Sequence, residues 1–326
     1  MVNEVLVVPI LASFFVTLFL IPNWIRRAKN GKLTGKDLNK FNGGEVAEAG
    51  GVAVVAGFSL GVLIYVAINT FVFNNTLHII DIFALLTTIL LIAFVAFTDD
   101  ILGWKIGLRR RTRIILVAFA SIPLIAINAG KSTIGLPFVG GFDVGIIYPL
   151  ILIPLGMVGA TTTYNFLAGF NGLESGLGII ILSALAVVAY VTGSPWLALV
   201  AVCMVASLFA FLIFNLNPAQ VFPGDTLTYP VGGLIAIIAI LGNFEKIAVF
   251  FFIPFIVEVF LKARGKFEKQ SFGKPNKDGS ISLKYEKLYS LNHVAIWAME
   301  KLKIKPTENK IVISCLLYTS PSPRDS

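Results

Sequence analysis

Residues 97–113 read FTDDILGWKIGLRRRTR. The apolar run 81–97 ends on two adjacent carboxylates, Asp99 and Asp100, and five cations follow: Lys105, Arg109, Arg110, Arg111 and Arg113. A second apolar run begins at Ile114. A charge at a bilayer centre costs roughly 3 kcal/mol on insertion scales, so a charged segment between two such runs belongs at a membrane surface. There the acids can hold a divalent cation, and the cation with the guanidinium groups can hold phosphate. The alternative is an anchor that orients the helices by the positive-inside rule, which leaves the paired aspartates unexplained.

The composition extends this reading to the whole chain. Hydrophobic residues make up 56% of the 326 and charged residues 13%, with a mean hydropathy of +0.85. A soluble domain carries about 25% charged residues, so that class is excluded. Lipid forces every backbone group to bond internally, which points to an all-α polytopic membrane protein. Apolar runs near span length lie at 5–22, 51–71, 81–97, 114–128, 144–162, 173–192, 196–214, 230–242 and 247–261, nine candidates of which several are short. The N-terminus shows no basic n-region and no small-residue cleavage site, so the first run reads as a retained span.

The net charge of +8 is carried by loops between spans, which is no nucleic-acid signature. Cys203 and Cys315 provide neither a disulfide framework nor a thiolate metal spacing. Basic residues crowd the turns after the first, third and ninth runs, whereas the intervening turns carry little beyond Lys131 and Lys246. That bias puts the N-terminus outside and loops 23–50, 98–113, 163–172, 215–229 and 262–290 in the cytoplasm. All the polar, glycine-rich motifs then share one face, which argues for a single site there.

Loop 35–51, GKDLNKFNGGEVAEAGG, has glycines suited to close backbone approach, and Glu48 stands just before a span; a solvated interfacial acid is the plainer reading. In 161–176, TTTYNFLAGFNGLESG, Asn165, Asn171 and Glu174 interrupt an apolar sequence. An asparagine oxygen suits a hard cation and an amide edge suits a base, although Asn-Gly is also an ordinary turn. In 214–230, FNLNPAQVFPGDTLTYP, Asp225 is a metal ligand or a helix N-cap, and Phe222 stacks on a base or anchors at the interface. Residues 292–303 read as an amphipathic surface helix with Val294, Ile296, Trp297 and Leu302 on its apolar side. His78 and His293 lack partners at ligand spacing and read as structural.

Four ordered motifs, TDDILGW, RIILVAFASIPL, NFLAGFNGLESG and NPAQVFPGDT, resemble the polyprenyl-phosphate N-acetylhexosamine-1-phosphate transferases over residues 1–310. Within that superfamily the chain is most similar to the branch acting on UDP-GlcNAc and dolichyl phosphate. The resemblance implies a ten-helix fold in the cell membrane and a cytoplasmic groove. It implies Mg²⁺, with Mn²⁺ as a substitute, and leaves a homodimer open. The implied reaction moves GlcNAc-1-phosphate from UDP-GlcNAc to a polyprenyl (dolichyl) phosphate and releases UMP. By resemblance Asn165 and Asp225 are metal ligands, and Asp99 and Asp100 support the metal and the activation of the lipid phosphate. Arg113 takes the pyrophosphate-binding position, with Arg109 as competitor. Leu38, Gly169, Asn171 and Phe222 cradle uridine, and Glu48 lies near the reacting groups.

Two departures stand out. The HRxPR-like motif of the eukaryotic enzymes is replaced by SFGKPNKDG, residues 271–279, in which Lys274 is the candidate cation; the bacterial histidine-rich version is also absent. A tenth helix is expected near Ile311, but the chain turns to CLLYTSPSPRDS. The expectation is one catalytic domain over 1–313 with about nine membrane helices, the tenth lost, and a non-native tail over 314–326. The rival readings are the same reaction with another UDP-acetamido sugar, or a transporter or lipid flippase. The latter would place ionisable groups at midspan depth, where this chain has almost none.

Overall fold

The computed structural model describes residues 4–136 and 140–319. Its helices are α1 (Val7–Asn30), α2 (Gly51–Phe71), α3 (Ile79–Ile106), α4 (Arg110–Ala120), α5 (Ile122–Ala126), α6 (Ile153–Phe166), α7 (Leu173–Val191), α8 (Pro195–Asn215), α9 (Asp225–Gly242), α10 (Glu245–Phe251), α11 (Ile253–Arg264), α12 (Leu291–Lys301) and α13 (Glu308–Thr319). Three short antiparallel ribbons connect them: β1 (Thr34–Lys36) with β2 (Glu45–Ala47), β3 (Thr133–Leu136) with β4 (Gly140–Asp143), and β5 (Lys274–Pro275) with β6 (Ile281–Ser282).

Among the described residues, six helices are long and apolar enough to cross a membrane: Glu4–Asn30, Gly51–Phe71, Ile79–Gly103, Leu173–Val191, Pro195–Asn215 and Asp225–Gly242. The other three apolar runs are broken. Run 114–128 divides at Ser121 into α4 and α5, 144–162 opens with a π-helical turn at Tyr148–Leu152, and 247–261 divides at Phe252. A proline stands in the first turn after each break: Pro123, Pro149 and Pro254. Proline lacks the N–H that would continue the ladder and sits best in the first turn of a new helix, so each run is a pair of segments.

Helix α9 is the centre of the bundle. It packs on α2, α3, α6, α7 and α8, and nearly every residue from Thr226 to Ile240 is buried. A helix apolar on all sides belongs inside, and the polar groups of its first turn must then be satisfied by protein. Helix α1 by contrast turns Phe15 and Phe19 outward.

Three expectations change. The segment 98–106 is the last part of α3 and not a loop, because the helix runs through Asp99 and Asp100 and turns only at Gly103 (φ 67°, ψ 172°). In α12 the buried face is Asn292, His293, Ala295, Ile296 and Met299, while Trp297 and Leu302 are exposed; the surface on which this helix lies is protein. The last helix starts at Glu308 rather than Ile311 and continues to Thr319, with Cys315 buried and Leu316 against Gly176 of α7. At about 1.5 Å per residue its described part, Glu308–Thr319, covers less than a bilayer's thickness. Residues 320–326 of the expected tail lie outside the described residues.

Candidate functional site

The first turn of α9 is closed by a carboxylate from α3. Asp100 Oδ1 accepts from Asp225 N (3.0 Å), and its Oδ2 accepts from Thr226 N (2.9 Å) and Thr226 Oγ1 (2.6 Å). These bonds satisfy donors that a helix start leaves orphaned, and they favour negative charge at the positive end of the helix dipole. Gly224 makes the approach feasible. Its φ is +68°, and a Cβ there would stand 2.3 Å from Asp100 Oδ2. Asp100 thus acts as a helix cap supplied from a distance, which leaves the neighbouring Asp225 side chain free to face the cavity.

Asp99, one residue earlier, anchors the segment after the Gly103 kink. Its Oδ1 accepts from Leu108 N (2.5 Å) and its Oδ2 from Arg113 Nη1 (2.9 Å). The same Arg113 Nη1 donates to Asp225 Oδ2 (2.7 Å). On the other side of Asp225, its Oδ1 accepts from Asn165 Nδ2 (3.0 Å), and Asn165 Oδ1 accepts from Thr228 Oγ1 (2.9 Å). Asn165 is in the last turn of α6 and Arg113 in the first turns of α4. Four helices therefore contribute to one cluster. Arg113 Nε is buried with no hydrogen-bond partner among the described residues, an unused donor beside the cavity.

The cluster forms one wall of a cavity of about 640 Å³. A second wall comes from residues 36–39 after α1 and the turn that leads into α7. Asn171 Nδ2 donates to Asp37 Oδ2 (2.9 Å), and Asn171 N donates to Glu308 Oε1 of α13 (3.0 Å). Asp37 Oδ1 accepts from Asn39 N (3.2 Å), and Asn39 Nδ2 donates to Gly169 O (2.5 Å). Gly169 N in turn donates to Glu174 Oε1 (2.8 Å). Burial pushes the Glu308 carboxyl above its ordinary value, and the nearby Asp37 charge adds to this. Phe222 lines the cavity on a strand-like segment bonded to Ala47 O (2.7 Å), and Leu38 lines it from an exposed position.

The third wall is the end of α11 and the chain after it: Lys262, Gln270, Ser271 and Phe272. Lys262 Nζ donates to Ser271 Oγ (2.5 Å) and Lys269 O (3.2 Å). Of the residues singled out from the sequence, Leu38, Arg113, Asn165, Gly169, Asn171, Phe222 and Asp225 line the cavity, and Asp99 and Asp100 stand directly behind it. Three others are neither on its wall nor directly behind it. Arg109 is the exposed N-cap of α4, and its neighbour Arg110 takes the lining position. Lys274 is exposed in β5, where it pairs with Ser282 of β6. Glu48 lies between β2 and α2 with its carbonyl accepting from Trp24 Nε1 of α1 (2.9 Å); burial raises its carboxyl pKa, helped by Asp100. Asp37, Asn39, Thr228, Lys262 and Glu308 escaped the sequence reading. The adjacency of Asp37 and Asn39 to Leu38 was a usable signal for two of them.

Oxygen donors of this kind suit a divalent cation. Two carboxylate oxygens from different helices already converge on one positive nitrogen, Arg113 Nη1, and Asn165 stands beside Asp225 with its Nδ2 on that carboxylate and its Oδ1 on Thr228 Oγ1. Hard oxygens in this number suit Mg²⁺, which binds one or two carboxylates and completes its shell from water and ligand phosphate. Among the described residues no three His, Cys, Asp or Glu side chains form a ready-made cage.

Fold and site together define a polytopic helical membrane protein with a carboxylate–guanidinium cavity at one end of the bundle. The model of glycosyl transferase family 4 matches residues 82–243. A Saccharolobus solfataricus protein provisionally named UDP-N-acetylglucosamine–dolichyl-phosphate N-acetylglucosaminephosphotransferase is 39% identical over 89% of this chain and 88% of its own. The Dictyostelium discoideum UDP-N-acetylglucosamine–dolichyl-phosphate N-acetylglucosaminephosphotransferase is 32% identical over 74% of this chain and 67% of its own. A phospho-N-acetylmuramoyl-pentapeptide-transferase of Halalkalibacterium halodurans is 29% identical over 82% and 86%. The chain belongs to glycosyl transferase family 4.

Proposed function

We propose that this protein transfers N-acetylglucosamine-1-phosphate from UDP-N-acetylglucosamine to a polyprenyl phosphate of the dolichyl type, with release of UMP. The observation that carries the reading is the convergence of Asp225, Asn165, Asp99 and Arg113, from four helices, on one wall of a cavity at a bundle end. The names of the Saccharolobus and Dictyostelium relatives support the same substrates. The charge bias of the loops supports a cytoplasmic site in a cell membrane with the N-terminus outside.

The lipid phosphate oxygen attacks the β-phosphorus of the nucleotide sugar. The new bond joins that oxygen to phosphorus, and the bond to the bridging oxygen breaks, leaving UMP with the electron pair. Both partners are anions, so the site must suppress repulsion. Arg113 provides a fixed positive charge, and its unused Nε–H is a donor for a phosphoryl oxygen. Asp99 and Asp225 hold the guanidinium in place from two sides. Asp225 and Asn165 would hold Mg²⁺, with Asp99 supporting them from behind, and the ion when bound would supply Lewis-acid charge neutralisation on the diphosphate. Phosphoryl transfer has a loose transition state, so positioning by these side chains accounts for most of the acceleration. Phe222 and Leu38 offer an apolar surface to a base, and Asn171 an amide edge.

The test is Asp225→Asn in membranes supplied with UDP-N-acetylglucosamine, dolichyl phosphate and Mg²⁺. UMP release should fall by at least about a hundredfold while the purified protein keeps its melting temperature. Near-normal release would overturn the assignment.

A further inference from the structure

Asp37 is a buried acid, 5% exposed, with an inward-facing duty that the reaction above does not use. Its Oδ2 accepts from the side-chain amide of Asn171, and its Oδ1 accepts from the backbone of Asn39. Lys40 Nζ, 3.1 Å from Oδ2, balances its charge. An ionised carboxylate has acceptors only, so a neighbouring carboxamide must turn its NH₂ toward it. The orientation of Asn171 is therefore imposed by Asp37. Its Oδ1 is turned away from Asp37 and accepts no hydrogen bond among the described residues. Glu308 holds the Asn171 backbone N–H from the other side, so the whole residue is fixed. Asn39 agrees in sign. Its NH₂ is committed to Gly169 O, and its Oδ1 is buried without a partner among the described residues. This wall of the cavity has spent its amide donors and kept its acceptors.

We propose that Asp37 is the positioning residue for nucleobase specificity: by holding the Asn171 NH₂ it makes that side chain an acceptor for the N3–H of uracil, and it rejects cytosine, whose N3 is itself an acceptor. The proposal rests on the reading of the cavity as a uridine-nucleotide site. A site built around a substrate N–H discriminates strongly against an analogue lacking it, because its buried acceptor is left unpaired.

The experiment compares inhibition of turnover, and calorimetric binding, by UMP and CMP for the full chain in detergent. Wild type should prefer UMP. Asp37→Asn frees Asn171 to turn its NH₂ into the cavity, so the UMP/CMP preference should fall by about tenfold or more, with KM for the nucleotide sugar rising more than kcat falls. The double variant Asp37→Asn with Asn171→Asp reverses the donor and acceptor of the pair and again presents only an acceptor. It should restore the uridine preference, which a merely structural role for Asp37 would not do. An unchanged preference in Asp37→Asn, or a folded double variant that fails to restore it, would overturn the proposal. Should Asp37→Asn not fold, the double variant decides alone: preference kept supports the proposal, preference lost sinks it. UMP binding by wild type without turnover of UDP-N-acetylglucosamine would sink the reaction and leave this assignment standing. Equal binding of UMP and CMP with turnover intact would sink this assignment alone.

Discussion

Arg113 Nη1 lies 2.7 Å from Asp225 Oδ2, and the same nitrogen lies 2.9 Å from Asp99 Oδ2. One guanidinium nitrogen thus separates two carboxylates that arrive from α9 and α3. Arg113→Ala leaves both acids facing each other without a counter-charge and removes the unused Nε donor. Turnover should fall by about 10²–10³-fold, the range seen when one fixed donor to a developing charge is lost. Arg113→Lys retains a point charge that can reach the acids but loses the planar fork, so its activity should lie between those of wild type and the alanine variant. UMP release at saturating substrate measures both. An alanine variant as active as the lysine variant would show that the charge is dispensable.

The cap on α9 is a stability element as much as a site element. Thr226→Val removes the Oγ1 bond to Asp100 and keeps the shape, so a loss of about 1–3 kcal/mol is expected. Gly224→Ala should do more damage. Its Cβ would meet Asp100 Oδ2 at 2.3 Å with a positive φ that disfavours a side chain. Thermal unfolding in detergent should rank wild type above Thr226→Val and Thr226→Val above Gly224→Ala. Asp100 would not be the cap if Gly224→Ala melted with wild type.

Glu48 gives a pH dependence whose sign follows from its surroundings. Burial, and then the Asp100 charge, raise its pKa above the ordinary 4.5. The folded protein therefore holds this proton more tightly than the unfolded chain. The stability this contributes is fully present below about 4.5 and is lost as pH rises through the folded value. Glu48→Gln removes the titration. Its melting temperature should gain on that of wild type as pH rises from 4 and then level off. A constant difference across pH 4–8 would mean that the carboxyl titrates normally.

Much of this site was legible in the chain because charge is conspicuous in an apolar sequence. Asp99, Asp100, Arg113, Asn165 and Asp225 each interrupt or border a hydrophobic run, and the fold brings all five within one connected cluster. Asp37 and Glu308 were harder to find. They reach Asn171 across 134 and 137 residues of sequence, and no local periodicity encodes such a meeting. Lys262 was hidden differently, as one of many cations after the ninth run. Hydropathy also cannot distinguish one span from two helical pieces, which is why the breaks at Ser121 and Phe252 appeared only in the fold. The exposed face of α12 was misassigned because its surroundings are protein, and Asn292 and His293 find polar partners there.

Lys262 ties the third wall together, and its loss should separate binding from chemistry. Its ammonium donates to Ser271 Oγ and Lys269 O and stands 3.9 Å from Glu258 Oε1, so it fastens the segment after α11 to the end of that helix. The fastened segment carries Phe272, whose ring packs so closely on Gly169 that a Cβ there would meet it at 2.8 Å. Lys262→Met keeps the stem but releases the strap, while Ser271→Ala removes one of its two bonds. A loosened wall weakens ground state and transition state alike, so KM for the nucleotide sugar should rise by about tenfold in Lys262→Met with kcat changed far less. Ser271→Ala should shift KM in the same direction by a smaller factor. A Lys262→Met enzyme with normal KM and a kcat reduced by a hundredfold or so would mean that the ammonium acts on the transition state, and the strap would then be incidental.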